Sequence, residues 1–222
     1  MRDEIQRNSQ RYEQNVSEMN SRLIEKDLTI AEKTKLIQAR DATINDQLLQ
    51  IMRAYETDKY KFKEDLFSGI FDGLSKKLGM NLADSSDVDV TASSYQGSSY
   101  DPKNVLKNDG RYWHSQNLPN SWIQFDFKQR KVSITSYSMK EFCLIRSWKV
   151  EGSTDGSTFE IIDNKVDTTD FQNSSGIQKN FPVQPNNKYY RYIRITSTSK
   201  NWDGSDFFIL YRVEFFGFVQ SE

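Results

Sequence analysis

The first glycine of this chain is Gly69 and the first proline is Pro102, although its 222 residues hold ten Gly and four Pro. A segment that long without either breaker, rich in Glu, Lys, Arg, Gln, Leu and Ile, favours helix throughout. Aromatic residues are as unevenly spread: Tyr12, Tyr55 and Tyr60 are the only ones among the first sixty. Two regions with different physics therefore meet between residues 65 and 88.

The helical region carries a seven-residue repeat: Val16, Leu23, Ile30, Ile37, Ile44 and Ile51. Six Leu or β-branched residues at one heptad position imply a left-handed coiled coil. The companion position is poor, with Met19, Lys26, Lys33, Arg40, Gln47 and Ala54; Leu28, Leu36, Leu48 and Leu49 widen the stripe. A lone helix with an uncovered apolar seam is marginal in water, so residues 1–65 are expected to self-associate as a dimer or trimer. Strand number and orientation stay open, because the second core position lacks the Leu that would select dimers.

Residues 66–86 read as a joint. Leu66, Phe67, Ile70, Phe71, Leu74 and Leu78 recur at three- and four-residue spacing, which predicts a short amphipathic helix. Lys76 and Lys77 suit its C-terminal end and Gly79 its cap. This helix either docks on the following domain or closes the helical bundle; without a basic cluster, a membrane-surface role is not favoured.

From residue 87 to 219 short strand candidates alternate with turns. They are Val88 to Ala92, Trp122 to Phe127, Val132 to Met139, Trp148 to Gly152, Phe159 to Ile162, Phe181 to Val183, Tyr190 to Thr196 and Phe207 to Phe218. Between the first two of these, Asn108-Asp109-Gly110 and Leu118-Pro119-Asn120 are turn chemistry. Ile123, Phe125 and Phe127 then alternate with Gln124 and Asp126, the period of a half-buried strand. Asp155-Gly156 between two strand candidates is a hairpin signal. Trp113 and Trp122 are read as core or edge packing. Along the last strand, Tyr211, Val213 and Phe215 alternate with Leu210, Arg212, Glu214 and Phe216. Many short strands and no convincing helix give an all-β antiparallel sandwich or jelly roll.

The succession VTASSYQG, NVLKNDGRYWHSQ, SWIQFDF, SWKVEGSTDGSTF, YRYIRIT and YRVEFFG resembles the discoidin, or coagulation factor 5/8 type C, family. The resemblance covers residues 87–219 in order and implies the galactose-binding-like jelly roll. SWKVEGSTDGSTF, VEFFG and the upstream GIFDGL most resemble an intracellular branch found behind BTB domains; here a coiled coil stands where the BTB domain would be. Secreted members carry a disulfide joining the domain's two ends, for which a chain with Cys143 alone has no pair. Several relatives hold calcium near the Asp-Gly turn with a late Glu. The matching positions are Asp109 and Glu214, but Arg111-Tyr112 replaces the next ligand, a Thr. Asp109 then reads as a turn residue and Glu214 as a partner of Arg194 or Arg212.

Ligands of this family sit on loops at one end of the sandwich, which are here Ser94 to Asp101, Tyr112 to Pro119, Glu141 to Ser147 and Ser199 to Asp206. By chemistry the candidates on them are Tyr95, Tyr100, His114, Arg146, Trp202 and Asp203. A sugar site needs an aromatic face for C–H groups and planar polar groups for hydroxyls, which Trp202, His114 and Arg146 supply if they converge. Blander roles stand beside these: His114 bonding a loop backbone, Trp202 held among turn residues. Membrane-binding relatives use exposed Leu, Phe or Met at loop tips, whereas these loops read as Tyr, Ser and Asn, which argues against lipid.

Net charge is −1, so no global field attracts nucleic acid or an anionic membrane. The lone cysteine and a polar N-terminus lean towards a reducing, intracellular site. One His and one Cys in no nucleophile context make no triad, and no phosphate-binding Gly loop or metal cluster is seen. A non-catalytic protein without cofactor is expected, calcium being the one cation in question. Two functions fit. One is an oligomeric adaptor whose sandwich loops recognise a protein partner. The other is a lectin-like module for carbohydrate or, less well, lipid headgroups.

Overall fold

A computed structural model describes the chain except Met1, Lys59, Ser174, Pro185 and Glu222, and except the side chains of residues 3, 50–58 and 221. The chain divides into two compact units, Met1–Ala54 and Tyr55–Glu222.

Helix α1 (Arg2–Asp58) is uninterrupted, as the absence of Gly and Pro requires. Val16, Leu23, Ile30, Ile37 and Ile44 are all exposed on it; the side chain of Ile51 lies outside the described residues. The helix stops short of residue 65. Tyr60 is already buried, and its carbonyl accepts the Gly217 N–H at 3.0 Å. A sheet strand thus claims the backbone that would have continued the helix.

The second unit is a sandwich of two antiparallel sheets. In chain order its strands are β1 (Asp89–Ala92), β2 (Trp113–His114), β3 (Trp122–Asp126), β4 (Arg130–Glu141), β5 (Trp148–Ser153), β6 (Glu160–Lys165), β7 (Gln178–Pro182), β8 (Tyr192–Ser197) and β9 (Ile209–Ser221). One sheet has the order β1-β3-β8-β5-β6 and the other β2-β9-β4-β7. The strand pattern expected from sequence is present, with the two-residue β2 as an addition; it is too short to show a period. The expected hairpin is β5–β6, where Asp155 Oδ1 accepts the N–H groups of Ser157 and Thr158.

Between the sheets the inward residues alternate as the strand period demands: Ile123 and Phe125 from β3, Ile193 and Ile195 from β8, all fully buried. Trp113 is buried too, whereas Trp122 is half-exposed, with the Arg194 guanidinium 4.7 Å from its ring centre. Trp148, Phe171 and Phe181 form a second aromatic cluster.

Helix α2 (Ile70–Leu78) docks on the sandwich and ends at Gly79 in the left-handed conformation, φ +68°. Phe71 enters the core, stacked on Phe127 and edge-on to Phe215. Both faces of β9 are buried at this point. Glu214 and Phe216, on the face opposite Val213 and Phe215, are buried as well, because the segment leading into α2 covers that face: Phe62 packs edge-on against Phe216. At Gly69 a Cβ would lie 2.3 Å from the Phe215 carbonyl oxygen, so only glycine permits so close an approach.

Candidate functional site

The antiparallel registers bring all four candidate loops to one end of the sandwich. Ala92 pairs with Ile123, Trp122 with Thr196, Trp148 with Ser197 and Lys165, and Glu141 with Leu210. The loops leaving these residues are therefore neighbours.

They are tied together by backbone-anchored bonds. Gln96 N–H donates to the His114 carbonyl, and Gln116 N–H to Ser94 Oγ. Asp206 N–H donates to Asn117 Oδ1 at 2.7 Å. Trp202 N–H donates to the Leu144 carbonyl, and Thr198 N–H to that of Ser147. Loops held this way present side chains from a rigid base.

Arg146 and Trp202, 56 positions apart in the sequence, meet. The guanidinium lies 4.8 Å from the Trp202 ring centre, and Nε is 2.7 Å from Asp167 Oδ1. The indole Nε1 donates to the Thr168 carbonyl at 3.0 Å, while Thr168 N–H donates to the Arg146 carbonyl. The result is a half-buried aromatic plane beside a partly exposed guanidinium and carboxylate. Such a constellation can stack on apolar ring faces and bond vicinal hydroxyls.

His114 does not join this pair. Its ring sits among Tyr100, at 5.4 Å, and Phe207, at 5.0 Å, with Tyr112 next to it. Its Nε2 is buried with no hydrogen-bond partner among the described residues, so the expected bond from this side chain to a loop backbone is absent. Burial lowers its pKa. Tyr100 packs on Tyr112 in the same cluster, which continues through Tyr211 to Phe142. Tyr95 is exposed, and Asp203 is an exposed turn residue whose Oδ1 accepts Ser205 N–H. Leu118 and Phe142 are about half exposed at this end, 50% and 45%, which corrects the expectation of loops without apolar tips.

The two positions offered to calcium are engaged elsewhere. Asp109 Oδ2 accepts from Arg111 Nε at 2.9 Å, the ion pair holding its carboxyl below the usual range. Glu214 pairs with neither Arg194 nor Arg212. Its buried carboxylate accepts the N–H groups of Phe71, Asp72 and Phe215. Arg194 donates to Gln124 and Arg212 lies over the Phe67 ring. Among the described residues no group of three or more His, Cys, Asp or Glu is placed to hold a metal ion.

The family model of the F5/8 type C domain matches residues 89–212. The chain belongs to the F5/8 type C domain family. No curated protein matches it. Among solved structures, the F5/8 type C unit is similar to CpGH89CBM32-5 from Clostridium perfringens, in complex with GalNAc-β-1,3-galactose. The two share 16% identity over 59% of this chain and 96% of that one, with a TM-score of 0.48. It is also similar to chitosan-binding module 2 of a chitosanase/glucanase from Paenibacillus, in complex with chitotriose, at 14% identity over 59% and 97% with a TM-score of 0.49.

Sequence reasoning named Arg146 and Trp202 but missed Asp167 and Thr168. Asp167 and Thr168 sit more than twenty residues from Arg146 or more than thirty from Trp202, and only φ +50° at Asp167 marks the turn. No linear signal links them.

Proposed function

We propose that the F5/8 type C unit is a non-catalytic glycan-binding module centred on Trp202 and Arg146, and that the N-terminal helix multiplies it by self-association through a coiled coil. The observation that carries this is the Arg146 guanidinium over the Trp202 ring with Asp167 beside it. Sugar C–H faces pack on an indole, and guanidinium and carboxylate groups bond pairs of hydroxyls in fixed geometry. Weak single sites gain by tethering, since a second contact forms at high effective concentration. The lone, buried Cys143 supports a reducing compartment.

The test is binding of the full-length chain to immobilised galactosides, N-acetylgalactosaminides and chito-oligosaccharides, with and without calcium. Trp202→Ala and Arg146→Ala are each expected to weaken the strongest interaction by about tenfold or more. No binding to any glycan from the full-length chain overturns the proposal. A protein partner for the same end is the second function, favoured by exposed Leu118 and Phe142. Leu118→Ser with Phe142→Ser separates the two, leaving glycan binding intact.

A further inference from the structure

Glu141, the last residue of β4, opens the loop that carries Arg146 and takes no part in the site's contacts. Its side chain is fully buried, and neither carboxylate oxygen has a hydrogen-bond partner among the described residues. The N–H groups of Cys143, Leu144 and Ile145 face it, none in good bonding geometry. They belong to a tight turn with Leu144 at φ +56°. That turn builds the site: the Leu144 carbonyl receives Trp202 N–H, and Arg146 follows two residues on.

The three turn amides favour the charged form but offset burial only in part. The register partner of Glu141 on β9 is Leu210. On the remaining side its backbone pairs with Ile177 and Gly176, neither ionisable. The titratable groups nearby are the buried Cys143 thiol and Asp203, which acts on that thiol. The thiol helps the charged form only as a weak S–H donor and Asp203 is acidic, so neither supplies a positive charge. A buried carboxylate without a partner is costly when ionised, and admitting water relieves that cost.

We propose that Glu141 is the positioning residue of the Arg146–Trp202 site, and that ionisation of its carboxyl opens the 142–145 turn and draws Arg146 away from Trp202. Burial pushes Glu141 up to about 7, so the change falls in the physiological range. Because the closed site prefers the neutral acid, occupancy of the site takes up a proton, and site occupancy and protonation favour each other. The consequence for glycans rests on the function proposed above; the opening itself does not. If only the protonated form is competent, affinity at pH 8.5 is about 30-fold weaker than at pH 6.

The test is 19F NMR of the full-length chain labelled with 5-fluorotryptophan. It gives one resonance for each of the four Trp, with Trp202 assigned from Trp202→Phe. The Trp202 resonance is expected to shift between pH 5.5 and 9 with a midpoint near 7, and in Glu141→Gln to stay at its low-pH position throughout. A flat Trp202 resonance in the wild type, or the same titration in Glu141→Gln, overturns the proposal. Should Glu141→Gln not fold, 13Cδ-glutamate labelling decides: Glu141 and Trp202 must titrate with one midpoint, and separate midpoints overturn it. Failure of the glycan panel leaves this result untouched.

Discussion

The Glu214 carboxylate accepts the Phe71 N–H at 2.8 Å across 143 residues of sequence. A residue of β9 thereby caps the first turn of α2, whose Phe71 fills the core between Phe125, Phe127 and Phe215. Acid at a helix N-terminus is favourable, since the first amides lack intrahelical partners. Removing the carboxyl strands several of them in a dry place. Glu214→Ala is expected to cost about 2–3 kcal/mol, read as a lower urea midpoint at unchanged m-value.

A cut after Leu82 tests the same contact from the other side. It removes Tyr60, Ile70, Phe71, Leu74 and Leu82 from the core. The remaining fragment is expected to aggregate, whereas a fragment beginning at Tyr55 is expected to unfold cooperatively in urea. A monomeric, cooperatively folding fragment after the cut at Leu82 would show that α2 is dispensable.

Tyr137 is a link in a buried chain. Its hydroxyl donates to Asp163 Oδ2 at 2.8 Å and accepts from Trp148 Nε1 at 2.8 Å. Tyr137→Phe leaves a buried indole N–H without an acceptor and is expected to cost about 1–3 kcal/mol. Urea unfolding measures this directly.

Stability should peak in mild acid. Burial raises Glu141 to about 7 and Glu214 to about 8, from an ordinary 4.5. The folded state therefore holds protons that the unfolded state has lost, and stability falls as pH rises from about 4.5 to 8. Asp126 has the opposite sign. Burial pushes its carboxyl up, but hydrogen bonds from Arg191 and Lys128 more than offset this and hold it down at about 2. Its contribution is present above 3.8 and is lost as pH falls towards 2. Urea midpoints from pH 3 to 9 trace both limbs, and the alkaline one should flatten in Glu214→Gln.

The helix makes a prediction of its own. Ile30→Lys with Ile37→Lys places charges on its exposed apolar stripe. The full-length chain is expected to fall to monomer mass by light scattering, and apparent affinity for an immobilised glycan to fall with it. An unchanged mass would mean that this seam does not assemble the protein.

Residue patterns alone determined a good deal. The absence of Gly and Pro gave α1, and the alternation at Ile123, Phe125 and Phe127 gave β3 with its inward face. These follow from periods of 3.6 and 2, which the backbone imposes on any local stretch. Tertiary structure decided the rest. Alternation puts Glu214 and Phe216 on the face of β9 opposite Val213 and Phe215 without saying what covers it, and residues 60–78 do. Arg146 and Trp202 are two of six candidates in the sequence, and only the pairing of β5 with β8 and of β4 with β9 brings their loops together. Glu141 reads as one more charged loop residue; the closing of the sandwich over it leaves it dry. Periodicity is a property of neighbours along the chain, whereas burial and partnership depend on which distant strands pair.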